Sequence, residues 1–77
     1  MNVVKRDGTS EAFNASKIKI AILKAFTACG YTPQEDTVND ILDSIEIWDE
    51  IAIEDIQDQI EEILMDFDFP DVAKAYI

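Results

Sequence analysis

The spacing of apolar residues along this chain changes at Asn14. Before it, two short strand-like runs, Asn2–Arg6 and Thr9–Phe13, flank Asp7–Gly8. Both turn residues tolerate positive φ, so the segment predicts a β-hairpin. Asn14 follows as a helix N-cap whose side chain accepts from first-turn N–H groups. From Ala15 to Cys29, the residues Ile18, Ile22, Ala25, Phe26 and Cys29 recur at helical spacing, and Gly30 closes that helix as a left-handed C-cap. Thr32–Pro33–Gln34–Glu35 reads as a capping box, with Pro33 opening a second helix whose stripe is Val38, Ile41, Leu42 and Ile45. Glu46–Glu50 is a connection, and its Trp48 is expected to lie as a hydrophobic lid over the bundle end. Ile51–Ala52–Ile53 alternates weakly and predicts a short third strand. A third helix over Glu54–Asp66 turns Ile56, Ile60, Ile63 and Leu64 inward. Pro70 opens a two-turn fourth helix, with Asp68 and Asp71 beside its positive end. The expected fold is α+β, a small bundle of four helices capped by a hairpin or three-stranded sheet. The apolar chain end on so short a helix predicts a domain cut from a longer chain.

Composition narrows the function. Seventy-seven residues make one domain, and 48% hydrophobic content is ample for its core. The single Cys29 forms no internal disulfide and reads as a buried structural thiol. Without histidine, one cysteine makes no zinc site. No apolar run approaches the roughly 20 residues of a membrane span, and no signal peptide precedes the hairpin, so a cytoplasmic protein is expected.

Charge changes the picture most. Residues 1–24 hold five cations (Lys5, Arg6, Lys17, Lys19, Lys24) and two acids, a net +3. The rest holds Lys74 and fifteen acids, a net −14. Concentrating cations at one end of an acidic domain predicts a local anion site there. The anion should be small, because a net charge of −11 repels a polyanion such as DNA. Lys17 lies in the first helical turn, shares a face with Ala21 and Lys24, and is met by Lys5 and Arg6 from the hairpin. Lysines converging on a helix N-terminus suit phosphate. Glu11 and Asn14 suit hydrogen bonds from a ribose or base, and Val3, Phe13 and Ile18 offer apolar surface for a flat ring. The plainer alternative is a solvated charged face. There is no Gly-rich phosphate loop.

These residues also carry a resemblance. Val3-x-Lys5–Arg6–Asp7–Gly8, then Glu11-x-Phe13–Asn14 and Lys17–Ile18, resembles the opening of the ATP-cone domain. That domain is the nucleotide-sensing module of ribonucleotide reductases and of their transcriptional repressor. The likeness continues through Ile51-x-Ile53-x-Asp55–Ile56–Gln57–Asp58, Ile60 and Leu64 to Val72–Ala73–Lys74–Ala75–Tyr76–Ile77. It implies four helices covered by a three-stranded sheet, with ATP or dATP bound between them. By position, Val3, Lys5, Glu11, Phe13, Asn14, Lys17 and Ile18 would line the site, joined by Ile53 and Gln57 from the third helix; Arg6 is added to the site as the second hairpin cation. Mg²⁺ would arrive with the nucleotide. The implied partners are the catalytic domain or subunits of a reductase, with nucleotide-dependent self-association and neither nucleic acid nor membrane. Two departures stand out. Ile53 has no hydroxyl where some relatives place one, and the chain ends where the family usually continues with basic residues. The motif starts at residue 3, where the repressor family has a zinc ribbon, so the N-terminal cone of a reductase is expected, with the anaerobic class favoured.

Other signals are weaker. Asp43–Ser44–Ile45 resembles the attachment site of acyl carrier proteins, the runner-up class beside a generic acidic interaction domain. Asp49–Glu62 lacks the ligand spacing and glycine of a calcium loop. No nucleophile–base pair is visible, so the domain should bind and signal without catalysis. One hairpin detail bears on the site. A two-residue turn would pair Lys5 with Ser10 and turn Lys5 and Glu11 to opposite faces. A one-residue shift that pairs Lys5 with Glu11 and Val3 with Phe13, with Gly8 at positive φ, brings them to one face and is the register expected.

Overall fold

A computed structural model describes residues 1–76. The order is β1 (Asn2–Val4), β2 (Ser10–Ala12), α1 (Ala15–Ala28), α2 (Glu35–Asp43), β3 (Ile51–Ala52), α3 (Ile53–Asp66) and α4 (Pro70–Tyr76). The α+β fold expected from the sequence is the one observed. The sheet runs β2-β1-β3, antiparallel on one side of β1 and parallel on the other. Helix α4 packs against both α1 and α3.

The hairpin register departs from the one expected. Val3 lies opposite Glu11 and Val4 opposite Ser10, a one-residue shift in the other direction. The connection explains it. Gly8 N–H donates to the Lys5 carbonyl at 2.9 Å and Lys5 N–H to the Thr9 carbonyl at 2.8 Å, enclosing the three-residue loop Arg6–Asp7–Gly8. Gly8 has φ 86°, as the bulge of a three-residue hairpin loop requires. Asp7 Oδ1 accepts from Thr9 N–H at 3.0 Å and Thr9 Oγ1 at 2.6 Å. Those bonds hold the Asp7 carboxyl below its usual value of 3.8. Either one-residue shift keeps odd-numbered residues on one face, so Lys5 and Glu11 still share it.

Two helices end alike. After α1, Gly30 N–H donates to Thr27 and Tyr31 N–H to Phe26; after α3, Asp68 N–H donates to Met65 and Phe69 N–H to Leu64. Both are Schellman motifs, with Gly30 at φ 79° and Asp68 at φ 68°. The residues just beyond them meet. Phe26, Tyr31 and Phe69 pack edge-on, Phe26 to Phe69 at 5.0 Å between ring centroids. Tyr31 Oη donates to Asp71 Oδ2 at 3.1 Å, a bond that raises the Tyr31 pKa. Cys29 is half-buried and its thiol donates to the Asp71 carbonyl at 3.4 Å.

Two further expectations are corrected. Helix α2 begins at Glu35, and its cap Gln34 makes no side-chain bond, so the Thr32 capping box does not form. Gln34 stays extended at ψ 146°, and Glu35 and Asp36 supply the negative charge that favours a helix start. Trp48 is not a lid. It is 49% exposed, on a connection that Gln59 holds by bonding both the N–H and carbonyl of Glu46. Ser44 caps the C-terminal end of α2, its hydroxyl donating to the Asp40 carbonyl at 2.8 Å. The core is Val3, Ile22, Phe26, Ile41, Ile51, Ile56, Ile60, Leu64 and Val72 with their neighbours.

A Cβ added at Gly30 would meet nothing within 4 Å, so substitution there isolates the backbone cost. Gly30→Ala is expected to lose about 1 kcal/mol in urea unfolding, the penalty of a left-handed L-residue. Unchanged stability would show that the motif does not constrain the α1 terminus.

Candidate functional site

The hairpin, the start of α1 and the start of α3 converge on one cleft. The cleft is lined by Val3 from β1, Glu11 and Ala12 from β2, Phe13 and Asn14 from the junction, Lys17 and Ile18 from α1, and Ile53 and Ile56 from α3. Seven of the ten residues expected at the site therefore lie together here. Their convergence follows from local geometry. Burial of Val3 sets the face of the sheet, the register brings Glu11 beside it, and the parallel pairing of Val3 with Ile51 delivers Ile53.

Asn14 is the cap expected. It is extended (φ −132°, ψ 100°), and its Oδ1 accepts from Ser16 N–H at 3.0 Å. Lys17 N–H donates to the Asn14 carbonyl at 3.2 Å. Two first-turn amides are thus already satisfied. An anion here would be met chiefly by ammonium groups rather than by a bare helix end.

The hairpin cations sit apart from the cleft floor. Lys5 Nζ lies 3.4 Å from Glu11 Oε2 at the rim. Arg6 Nη2 donates to Gln57 Oε1 at 3.1 Å, and its Nε lies 3.6 Å from Glu54 Oε1. Arg6 and Gln57 line a neighbouring open hollow of about 390 Å³ with Glu54, Asp58, Glu61 and Tyr76. Lys17, Lys19 and Lys24 form no ion pair among the described residues. Sequence reasoning missed Ile56 and Glu54. Ile56 passes for plain core, yet its spacing of three from Ile53 puts both on one face; Glu54 has the same spacing from Gln57.

Among the described residues, no helix is long and apolar enough to cross a membrane, and no group of His, Cys, Asp or Glu is placed to hold a metal ion.

The family profile of the ATP cone domain matches residues 1–77. The chain belongs to the ATP-cone family. ATP-cone domains are nucleotide-sensing modules of ribonucleotide reductases, and the relatives agree. The chain is 40% identical over 88 residues to the ribonucleoside-diphosphate reductase subunit alpha of Chlamydia pneumoniae, covering 97% of this chain and 8% of that protein. It is 35% identical over 83 residues to the vitamin B12-dependent ribonucleoside-diphosphate reductase of Thermoplasma acidophilum, covering 97% and 11%. It is 34% identical over 79 residues to the anaerobic ribonucleoside-triphosphate reductase of Salmonella typhimurium, covering 99% and 11%. The ATP-cone thus spans about a tenth of the length of these relatives. The three are different reductase types, so the likeness does not single out the anaerobic class.

Removing the cap should register without any ligand. Asn14→Ala is expected to lower unliganded stability by about 0.5–2 kcal/mol. The exposed Lys17→Ala should leave it within about 0.5 kcal/mol. Equal losses in chemical denaturation would mean that Lys17 is structural.

Proposed function

We propose that this ATP-cone binds ATP or dATP between the hairpin and the starts of α1 and α3, and signals occupancy to a reductase without chemistry of its own. The observation that carries this is the single cleft shared by Val3, Glu11, Phe13, Asn14, Lys17, Ile18 and Ile53. Its donor set fits an adenine nucleotide. Val3, Ile18 and Ile53 offer apolar walls to the base, with Phe13 at the mouth between them and α2. Glu11 accepts from a ribose hydroxyl, and the Asn14 amide NH₂ is a donor not used by the cap bond. Lys17 and Lys5 take the phosphates, which bring Mg²⁺ as their own counter-ion and supply most of its ligands. Arg6 and Gln57 border the adjoining hollow, where the phosphate chain extends. Binding exchanges the Lys5–Glu11 pair for a phosphate contact. The partners are the catalytic region or subunits of a reductase making deoxyribonucleotides in the cytoplasm, the anaerobic enzyme among them, with self-association as one outcome of binding.

Melting the domain with ATP, dATP, GTP and no nucleotide tests this. Adenine nucleotide at 100 times its dissociation constant should add about 2.7 kcal/mol of stability. Lys17→Ala should bind ATP more weakly. Identical melting temperatures at millimolar nucleotide would refute the binding; unchanged ATP affinity in Lys17→Ala would refute the phosphate assignment.

A further inference from the structure

The cleft is about 80 Å³, whereas pockets for small ligands run from about 300 to 1,000 Å³. A purine does not fit it without a side chain giving way. Phe13 and Ile18 form part of its wall. The same two side chains help line a second, largely apolar hollow of about 340 Å³, completed by Ala15, Leu42, Asp43, Ile45 and Ile47. One partition therefore separates a space too small for the ligand from an apolar space beside α2.

The two shared residues differ in freedom. Ile18 is 9% exposed within α1, and a β-branched side chain in a helix keeps essentially one χ1 rotamer. Phe13 is half-buried at the junction of β2 and α1. Its backbone is fixed by its N–H bond to the Met1 carbonyl at 3.0 Å. A turn of its ring between staggered χ1 wells needs no movement of the chain.

We propose that Phe13 gates the nucleotide cleft, its ring swinging into the hollow beside α2 as the base enters. This rests on the nucleotide-binding function proposed above. The hollow suits the ring, since its walls are aliphatic apart from Asp43 at one side, so the ring would gain apolar contacts there. The swing also links elements. No residue of α2 lines the cleft, yet Leu42 of α2, with Ile45 and Ile47 just beyond it, would receive the ring. A base held between hairpin, α1 and α3 is thereby felt at α2 and at the loop carrying Trp48.

Calorimetric titration of ATP into four proteins tests the gate: the parent, Ile45→Phe, Phe13→Ala and the double variant, each checked by its unliganded melt. Ile45→Phe fills the hollow and lowers the open population; a tenfold lower population weakens apparent affinity about tenfold. In the Phe13→Ala background no ring needs the hollow, so Ile45→Phe should change nothing further. Ala15→Leu and Phe13→Leu replace whichever single variant fails to fold. If the parent binds ATP and Ile45→Phe binds as tightly, or loses equally in both backgrounds, Phe13 is not a gate. If the parent binds no ATP, the nucleotide-binding proposal itself falls.

Discussion

The hairpin end of the domain depends on the burial of Val3. Val3 is 3% exposed in the central strand, opposite Glu11 on one side and Ile51 on the other. Because side chains alternate along a strand, burying Val3 turns Lys5, Glu11 and Phe13 to the helix side together. The two-residue-turn register would have sent Glu11 to the opposite face. The same strand ties the hairpin to the start of α3. Glu50 N–H donates to the Asn2 carbonyl at 2.8 Å and Asn2 N–H to Asp49 Oδ1 at 2.9 Å. The walls of the cleft, far apart in sequence, are thus held by one strand.

Electrostatics there is provisional by construction. Lys5 and Arg6 each face a carboxylate, and both pairs are largely exposed. Exposed pairs are worth at most about 1 kcal/mol. Pairs this weak cost little to break, as the proposed phosphate contact requires. Residues 25–77 are strongly acidic, with Lys74 their one cation, so the positive charge is concentrated on the hairpin and α1.

What was legible in the chain was what short-range chemistry dictates. Asp7–Gly8, the Asn14 cap and Gly30 act within a few residues, and all three perform as their residue types predict. The register was harder, because both one-residue shifts put Lys5 and Glu11 on one face. What decided between them was the bonding of the loop backbone, with Asp7 holding Thr9. The start of α2 at Glu35 lacks any side-chain cap, and the connection before Trp48 is held by Gln59 from α3, neither of which announces itself by composition. Glu54 escaped notice because nothing local says that Arg6 will lie over the start of α3. The size of the cleft depends on how its nine lining side chains pack, which no spacing reveals.

The most direct measurement is an amide NMR titration of the isotope-labelled domain with ATP and Mg²⁺. Saturable shifts are expected at Lys5, Glu11, Phe13, Ser16 and Lys17, with a second set at Leu42, Ile45 and Ile47. Absence of saturable shifts, or shifts confined to the acidic face of α3 around Asp58 and Glu62, would contradict a nucleotide site between the hairpin and the helix starts.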